Sequence, residues 1–277
     1  MSVLLAVCAA GAFGVGDFLG GLATRRAPSV FPVVAVSHVV GLTVAGALVL
    51  VFSSVISVGA VLGGALGGVT GAAGIALLYR GLAVGRMAVV APITAVGAAV
   101  LPLAWGLATG ERPSTLATAG ALVGIISIPI VAAAPGVGSP RGRRGVPEAI
   151  GSGVGFALFF IAMDATGPNS GAIPLLAARV ASVPLFVGLT LARGSSLRLP
   201  GEALRPTLAA GALDVIANGF FLAATREGFL ALAAVVSSLY PAVTIVLARA
   251  VLDERIARPQ TGGLALAGVG VVLMVLG

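Results

Sequence analysis

Residues 79–131 read YRGLAVGRMAVVAPITAVGAAVLPLAWGLATGERPSTLATAGALVGIISIPIV, and residues 222–277 read LAATREGFLALAAVVSSLYPAVTIVLARAVLDERIARPQTGGLALAGVGVVLMVLG. Both stretches contain an arginine-bearing turn, an apolar span, a Glu-Arg turn and a second apolar span. At a shift of 143 residues they match at Gly85/Gly228, Ala88/Ala231, Ala91/Ala234, Glu111/Glu254, Arg112/Arg255, Thr118/Thr261 and Gly120/Gly263. A duplicated apolar unit is typical of membrane transporters built from internal repeats.

The composition places the chain in a lipid bilayer. Hydrophobic residues make up 58% of the 277 residues and charged residues only 9%, and the mean hydropathy is +1.15. A soluble domain carries about 25% charged residues, so a water-facing surface cannot be built from this sequence. We therefore predict an all-α integral membrane protein, multi-pass in the plasma membrane, with the lipid bilayer as its main partner.

The charged residues exclude several other classes. The net charge is +7 and every basic residue is arginine, but the arginines stand singly or in short groups between apolar runs. That placement is typical of juxtamembrane charges, so we expect no nucleic-acid partner. Cys8 is the single cysteine, so the chain contains no internal disulfide. We also expect no cleaved signal peptide, because the first residues lack a basic region.

Ten apolar spans of about 20 residues each are predicted along the chain. Their approximate bounds are 3–23, 30–52, 58–78, 87–108, 115–134, 148–166, 172–192, 206–224, 228–250 and 261–276. The longest polar segment is rich in Gly, Pro and Arg and lies near the middle, as a linker would. We predict a first five-helix repeat over 1–134, a linker over 135–147 and a second five-helix repeat over 148–277.

The arginines favour one side of the membrane. Turns on that side hold Arg25, Arg26, Arg80, Arg86, Arg141, Arg143, Arg144, Arg193, Arg198, Arg205, Arg255 and Arg258, whereas the other side holds Arg112 and Arg226. The positive-inside rule makes the arginine-rich side cytoplasmic and puts both termini outside. The bias also moves between corresponding turns of the two halves, as expected if the second half is inverted relative to the first.

The turn before the last helix of each half carries a family resemblance. These turns read Thr109-Gly110-Glu111-Arg112 and Leu252-Asp253-Glu254-Arg255, and residues 11–28 read GAFGVGDFLGGLATRRAP. With ten spans in two halves, they resemble the EamA family of the drug/metabolite transporter superfamily over nearly the whole chain. Phe13-Gly14 departs from the Trp-Gly often found in that family, and its members usually have cytoplasmic termini. The resemblance implies a secondary carrier, often an exporter, with a central cavity between the halves.

Ionisable residues inside apolar spans are the candidate functional residues, because each costs about 2.5–3.5 kcal/mol to insert. Asp214 lies in the middle of the eighth span, and Asn218 follows one helical turn later on the same face. Asp214 could couple transport to protons, or it could form a fixed ion pair, most plausibly with Arg179. Arg179 in turn could bind a substrate carboxylate, since a guanidinium matches carboxylate geometry, or be the permanent partner of Asp214 or Asp164.

Three further ionisable residues are weaker candidates. Asp17 could line the cavity, or it could pair with Arg25 or Arg26 near the interface. His38 could titrate near neutral pH or be a hydrogen-bonded packing residue. Asp164 could lie at the membrane interface rather than within the span.

The aromatic and proline residues point to the helices of the pathway. Trp105 and Tyr240 could gate a cavity or lie in the interfacial aromatic belt. Tyr240-Pro241 falls inside the ninth span, and Pro92 and Pro102 fall inside the fourth. Because interrupted helices at corresponding positions mark binding sites in repeat transporters, we predict that the fourth and ninth helices line the pathway. Glu111 and Glu254 are predicted to be structural, capping the following helix or pairing with the adjacent arginine.

These features predict a secondary transporter that moves a small metabolite, amino acid or drug-like compound by alternating access, in the outward direction and with proton coupling. The alternatives are a passive facilitator or channel and an intramembrane aspartyl protease. The protease is disfavoured because Gly14-Val15-Gly16-Asp17, its matching string, precedes the other aspartates. No cofactor is expected: one His and one Cys cannot supply three zinc ligands, and no lysine is available for a phosphate-binding loop. A monomer suffices for the pathway, and a homodimer remains open.

Overall fold

The computed structural model describes residues 1–52, 55–132, 144–252 and 258–277, which form α-helices and one 3₁₀ turn, Pro168–Ser170. The helices are α1 (Ser2–Arg26), α2 (Val30–Val51), α3 (Val58–Val84), α4 (Met87–Ala108), α5 (Thr115–Ala132), α6 (Val146–Asp164), α7 (Ile173–Ala192), α8 (Gly201–Arg226), α9 (Leu230–Ser237), α10 (Pro241–Leu252) and α11 (Arg258–Leu276). The described residues contain no strand. The predicted all-α class is therefore confirmed.

The helices have the length and composition needed to cross a membrane. Within the described residues, nine segments qualify, with Leu230–Leu252 counted as one of them, and α5 adds a shorter apolar helix. Large apolar side chains on the outside of the bundle, among them Leu50, Leu66 and Val275, are exposed. Lipid covers such side chains as favourably as a protein core does. The chain is a multi-pass integral membrane protein, as predicted.

Two helices extend more than one turn beyond the predicted spans. α3 continues to Val84, although its predicted span ends at 78, and α8 begins at Gly201, although its predicted span begins at 206. The additional turns carry arginines, which lowered their hydropathy below that of a span. A helix can continue past the hydrocarbon layer when its polar residues reach the headgroups or water.

The ninth span is broken, whereas the fourth is not. α9 ends at Ser237 and α10 begins at Pro241, which has no backbone N–H to continue the preceding hydrogen-bond ladder. The prediction of an interruption at Tyr240-Pro241 is confirmed. α4 runs without a break through Pro92 and Pro102, so the predicted interruption of the fourth helix is wrong. A proline removes one helical hydrogen bond but need not end the helix.

Turn residues set several helix boundaries. Ser57 and Ser114 cap α3 and α5: the N–H of Ala60 donates to Ser57 Oγ at 3.1 Å and that of Ala117 to Ser114 Oγ at 3.0 Å. After α4 the chain turns at Gly110, whose φ of +108° suits glycine best. These turns alternate between the two ends of the bundle. We call the end with Met1, Gly277 and the α4–α5 turn the terminal face, and the opposite end the arginine-rich face.

Glycines bring α3 close to its neighbours. Gly64 and Gly68 face α7, and a Cβ at Gly68 would overlap the backbone of Ala178. Gly71 and Gly74 face phenylalanines of α6, where an added Cβ would come within 2.8 Å of a ring carbon. Small residues permit such close backbone approach in membrane bundles. α3 is continuous, so its glycines serve close packing here.

Parts of the predicted organisation lie outside the described residues. Most of the predicted linker, 135–147, lies outside the described residues, and α6 already begins at Val146. The turn that carries Glu254 is also outside them. The division into repeats over 1–134 and 148–277 stays a prediction.

Candidate functional site

A small cavity lies in the centre of the bundle. Its volume is about 30 Å³, which is room for about two water molecules. Four of its lining residues are polar or charged: Asp17 on α1, Arg179 on α7, and Asp214 and Asn218 on α8. The remaining walls come from α3, α6, Phe13, Ala178 and Tyr240. Five of the predicted site residues, these four and Tyr240, therefore meet in one cavity between helices from both halves of the sequence.

Arg179 and Asp214 form an ion pair across the gap between α7 and α8. Both residues are buried. Asn218 Nδ2 donates to the other carboxylate oxygen of Asp214 at 3.2 Å, as the spacing of one helical turn allows. Each oxygen of Asp214 thus has a donor, which offsets part of the cost of burying its charge. Two partners were considered for Arg179, Asp214 and Asp164, and in the structure Arg179 pairs with Asp214. Asp164 is exposed at the end of α6.

His38 on α2 lies behind Arg179 rather than in the cavity lining. Its Nδ1 is 2.8 Å from Ser182 Oγ, and Nη1 of Arg179 is 3.2 Å from both ring nitrogens. The imidazole ring also packs on Phe186, with the ring centroids 6.1 Å apart. His38 therefore contacts the guanidinium directly, Ser182 contacts His38, and neither residue lines the cavity. His38 contacts the ion pair, not the space a ligand would fill.

Asp17 is the second carboxyl group of the cavity. α1 packs closely on α8 at Gly16, where an added Cβ would lie 3.4 Å from Leu213, and this contact brings Asp17 towards Asp214. Asp17 is only 4% exposed and forms no hydrogen bond or ion pair with a described residue. Arg25 and Arg26 lie two turns further along α1, and Arg25 donates instead to the carbonyl of Leu82 at 3.0 Å. Asp17 therefore faces the cavity without a counter-ion.

The two aromatic candidates lie in different places. Tyr240 is buried at the break between α9 and α10, lines the cavity, and donates its hydroxyl to the carbonyl of Ala91 in α4 at 3.2 Å. Trp105 is 50% exposed near the end of α4 and does not line the cavity. No described residue of α4 lines the cavity either, so of the two predicted pathway helices only the ninth span contributes to it in this conformation.

An aromatic wall was missed in the sequence. Phe156, Phe159 and Phe160 on α6 line the cavity together with Phe13. Phe160 stacks on Phe221 with ring centroids 4.2 Å apart. The signal was present as the run Phe156-Ala-Leu-Phe159-Phe160, whose i, i+3, i+4 spacing places three rings on one helix face. These rings give the cavity an apolar side opposite its charged side.

Glu111 links the first half of the chain to α9 of the second half at the terminal face. Its carboxylate accepts hydrogen bonds from the backbone N–H groups of Leu230 at 2.6 Å and Ala231 at 2.9 Å, the first residues of α9. A capping role was predicted, but for the following helix, and that part is wrong because Ser114 caps α5. Arg112 does not pair with the carboxylate; its guanidinium donates to backbone carbonyls. The carboxylate suits the positive end of the α9 dipole.

Comparisons with known proteins agree with this fold. The chain matches 16 chains of solved structures. One of them, a crystal structure, aligns over 99% of this chain and 98% of its own length with a TM-score of 0.74 and 19% identity, which shows the fold alone. No curated protein matches in sequence. Residues 143–276 match the model of the EamA-like transporter family. The resemblance seen in the sequence is thereby confirmed over residues 143–276, the second half of the chain.

Proposed function

We propose that the chain is a secondary transporter that moves a small organic molecule by alternating access, with the central cavity as its substrate site. The observation that carries this proposal is the set of charged groups at the cavity: Asp17, Arg179 and Asp214 lie buried inside a lipid-facing bundle. Buried charges in a membrane are costly and are retained mainly along substrate or ion pathways. The match of residues 143–276 to a transporter family supports the same function over an enzymatic one.

The charges of the cavity suggest a division of roles. Two carboxyl groups and one guanidinium lie at the cavity, and Arg179 is already paired with Asp214. Asp17 is then the group free to bind a proton or the amine of a substrate. The phenylalanine wall opposite suits an apolar side chain. We therefore propose a small amphipathic amine, such as an amino acid or a drug-like compound, that competes with protons for Asp17.

The helix contacts support the inverted repeat. If α1–α5 correspond to α6, α7, α8, the α9–α10 span and α11, a two-fold relation exchanges the contacts of the two halves. α1 packs on α8 as α6 packs on α3, and α2 packs on α8 as α7 packs on α3. α4 packs on α6 as the α9–α10 span packs on α1, and α5 packs on α11. We propose that the repeats 1–134 and 148–277 are related by this axis.

The size of the cavity fits an occluded state. Ligand pockets usually measure about 300–1,000 Å³, so a volume of about 30 Å³ must grow before a metabolite can enter. Contacts between the two halves, such as the Glu111 cap on α9, would have to change during that opening.

Because all the cavity walls come from one chain, a monomer suffices. We propose outward transport across the plasma membrane, because members of the family that the chain resembles are often exporters.

The test is transport by the purified full chain in proteoliposomes. Vesicles are loaded with a mixed pool of amino acids and small amines, a pH gradient is imposed, and the compounds that leave are identified by mass spectrometry. Asp17→Asn is expected to abolish gradient-driven release. Asp164→Asn is the matched control, since this aspartate is exposed at the end of α6, and it should behave as the unmodified protein.

The outcomes separate the competing functions. Selective release that depends on the gradient and on Asp17 supports a proton-coupled carrier. Selective release that is indifferent to both supports a passive facilitator and removes the coupling role of Asp17. If neither amines, amino acids nor lipophilic drugs are released above protein-free vesicles, the transport proposal fails.

A further inference from the structure

A second, larger cavity lies outside the central site, near the terminal face. Its volume is about 740 Å³, within the range of small-molecule pockets. It lies between the first turns of α1 and α7 and the last turns of α2 and α8, and it shares no lining residue with the central cavity. Asn218 faces the central cavity while its neighbour Gly219 faces this one, so α8 separates the two. We call this second cavity the lateral cleft.

The lateral cleft is polar at one end and apolar along its length. Arg226 and Asn169 lie at the terminal face, at the level of the turns. Deeper in the bilayer the walls are apolar and include Leu48, Leu175 and Phe220. From Arg226 to the lining residue Ile216, α8 rises about 15 Å at 1.5 Å per residue. A ligand that fills this cleft therefore needs a polar head and an apolar tail.

The rim shows that the cleft opens towards lipid. Phe52, Val55 and Ile216 line it and are 57%, 60% and 41% exposed on the outside of the bundle. At the end of the cleft nearer the terminal face, the backbone N–H of Val55 donates to the carbonyl of Asn169 at 3.0 Å. This hydrogen bond joins the α2–α3 turn to the α6–α7 turn. This contact closes the cleft towards the terminal face but leaves its side open. An acyl chain can enter from the bilayer without leaving it.

Arg226 supplies the charge at the polar end. Its Nη2 donates to Ser170 Oγ at 2.7 Å and to the carbonyl of Gly171 at 2.8 Å, which fixes the guanidinium at the cleft. Nη1 makes no hydrogen bond to a described residue, and no described carboxylate forms an ion pair with Arg226. A fixed arginine with a free donor edge is suited to a phosphate. The position at the helix end is the level of lipid headgroups.

We infer that the lateral cleft is a binding site for an anionic phospholipid, with the phosphate on Arg226 and one acyl chain between α2 and α8. The charge of Arg226 favours an anionic headgroup over a zwitterionic one. The length and apolar lining of the cleft favour an attached chain over a free phosphate. The site is independent of the transported substrate and does not require the proposed function to be correct.

Native mass spectrometry of the full chain in detergent tests this inference. Dioleoyl phosphatidylglycerol, dioleoyl phosphatidylcholine and glycerol phosphate are titrated separately. We expect saturable binding of one phosphatidylglycerol, at least roughly tenfold tighter than that of phosphatidylcholine, as one charged hydrogen bond would give. Glycerol phosphate should not compete.

Two variants separate the headgroup from the tail. Arg226→Gln should abolish the preference for phosphatidylglycerol. Gly219→Leu should weaken binding of both lipids at least roughly tenfold by filling the cleft. A Cβ at Gly219 meets only Leu175 Cδ1, at 3.9 Å, so the substitution leaves the fold in place. The matched control for the arginine variant is Arg112→Gln, on the same face. The matched control for the glycine variant is Gly188→Leu, because an added Cβ there meets nothing within 4 Å.

The inference is overturned by any of three results. Equal binding of the two lipids would remove the role of the charge. Competition by glycerol phosphate would indicate a site for a soluble anion instead of a lipid. Unchanged lipid binding by both Arg226→Gln and Gly219→Leu, with both variants still monodisperse, would place the lipid elsewhere.

Discussion

Removal of Asp214 should destabilise the fold far more than removal of the whole ion pair. Arg179 and Asp214 are 6% and 9% exposed, and Nε of Arg179 is already buried without a hydrogen-bond partner. Asp214→Leu leaves the buried guanidinium of Arg179 without its counter-ion. An uncompensated buried charge of this kind costs about 3–5 kcal/mol. At about 2–4 °C per kcal/mol for a chain of this size, the midpoint of thermal unfolding should fall by roughly 6–20 °C.

The double variant Arg179→Met with Asp214→Leu should recover most of that loss. Two apolar side chains of similar volume need no counter-ion, and such replacements are often neutral or stabilising. Arg179→Met alone should lie between the two, because Asp214 keeps the hydrogen bond from Asn218, which compensates part of the cost of its burial. The ordering of the three variants follows from the geometry of the pair.

The assay is the fraction of monodisperse protein that remains after heating in detergent, measured by size-exclusion chromatography. The same variants are repeated with Asp17→Asn, so that Asp17 cannot replace Asp214 as the partner of Arg179. If the double variant is as unstable as Asp214→Leu alone, the two side chains do not compensate each other, and the ion pair is not the reason for their burial.

Three further predictions use the same heating assay or the transport assay. Glu111→Gln should lower stability by about 0.5–2 kcal/mol because the α9 cap loses its charge, whereas Arg112→Gln should have little effect. Gly68→Leu should destabilise by at least about 1–3 kcal/mol because its side chain meets the backbone of α7, and Gly46→Leu, which has open space, should be tolerated. Trp105→Leu should leave the transport rate unchanged, since this side chain lies away from the central cavity; a strong loss of transport would show that α4 enters the pathway in another state.

Composition and periodicity were enough to predict the helical spans, because the hydrocarbon layer imposes one length and one composition on every segment. Boundaries failed where a helix leaves that layer, as at Val84 and Gly201. The helical turns outside the hydrocarbon layer contain arginines, so a hydropathy criterion does not assign them to the span. The two proline-containing spans looked equivalent in sequence, yet only the one with Pro241 is broken. A proline removes one helical hydrogen bond in either case, so the sequence alone does not separate a continuous helix from a broken one.

Charged residues are rare in the apolar spans, and this was enough to identify the candidate site residues. It did not show which of them contact each other. The spacing of Asp214 and Asn218 placed both on one helix face, and the structure joins them. The packing of α1, α7 and α8 determines that Arg179 pairs with Asp214. The same packing leaves Asp17 without a partner among the described residues. The Glu111 cap could not be predicted, because its partners Leu230 and Ala231 lie more than a hundred residues away in sequence.

The glycine contacts of α3 have a mechanical consequence. Where side chains interdigitate, two helices must separate before they can move, and the separation forms a barrier. Along Gly64 and Gly68, α3 presents its backbone mainly to the backbone of α7, and the side-chain atom nearest to these glycines is the small Cβ of Ala177. Such an interface resists a change in distance but offers little resistance to shear along the helix axis. Because α3 and α7 both line the central cavity, a slide of a few ångströms between them would change its volume while the bundle stays packed.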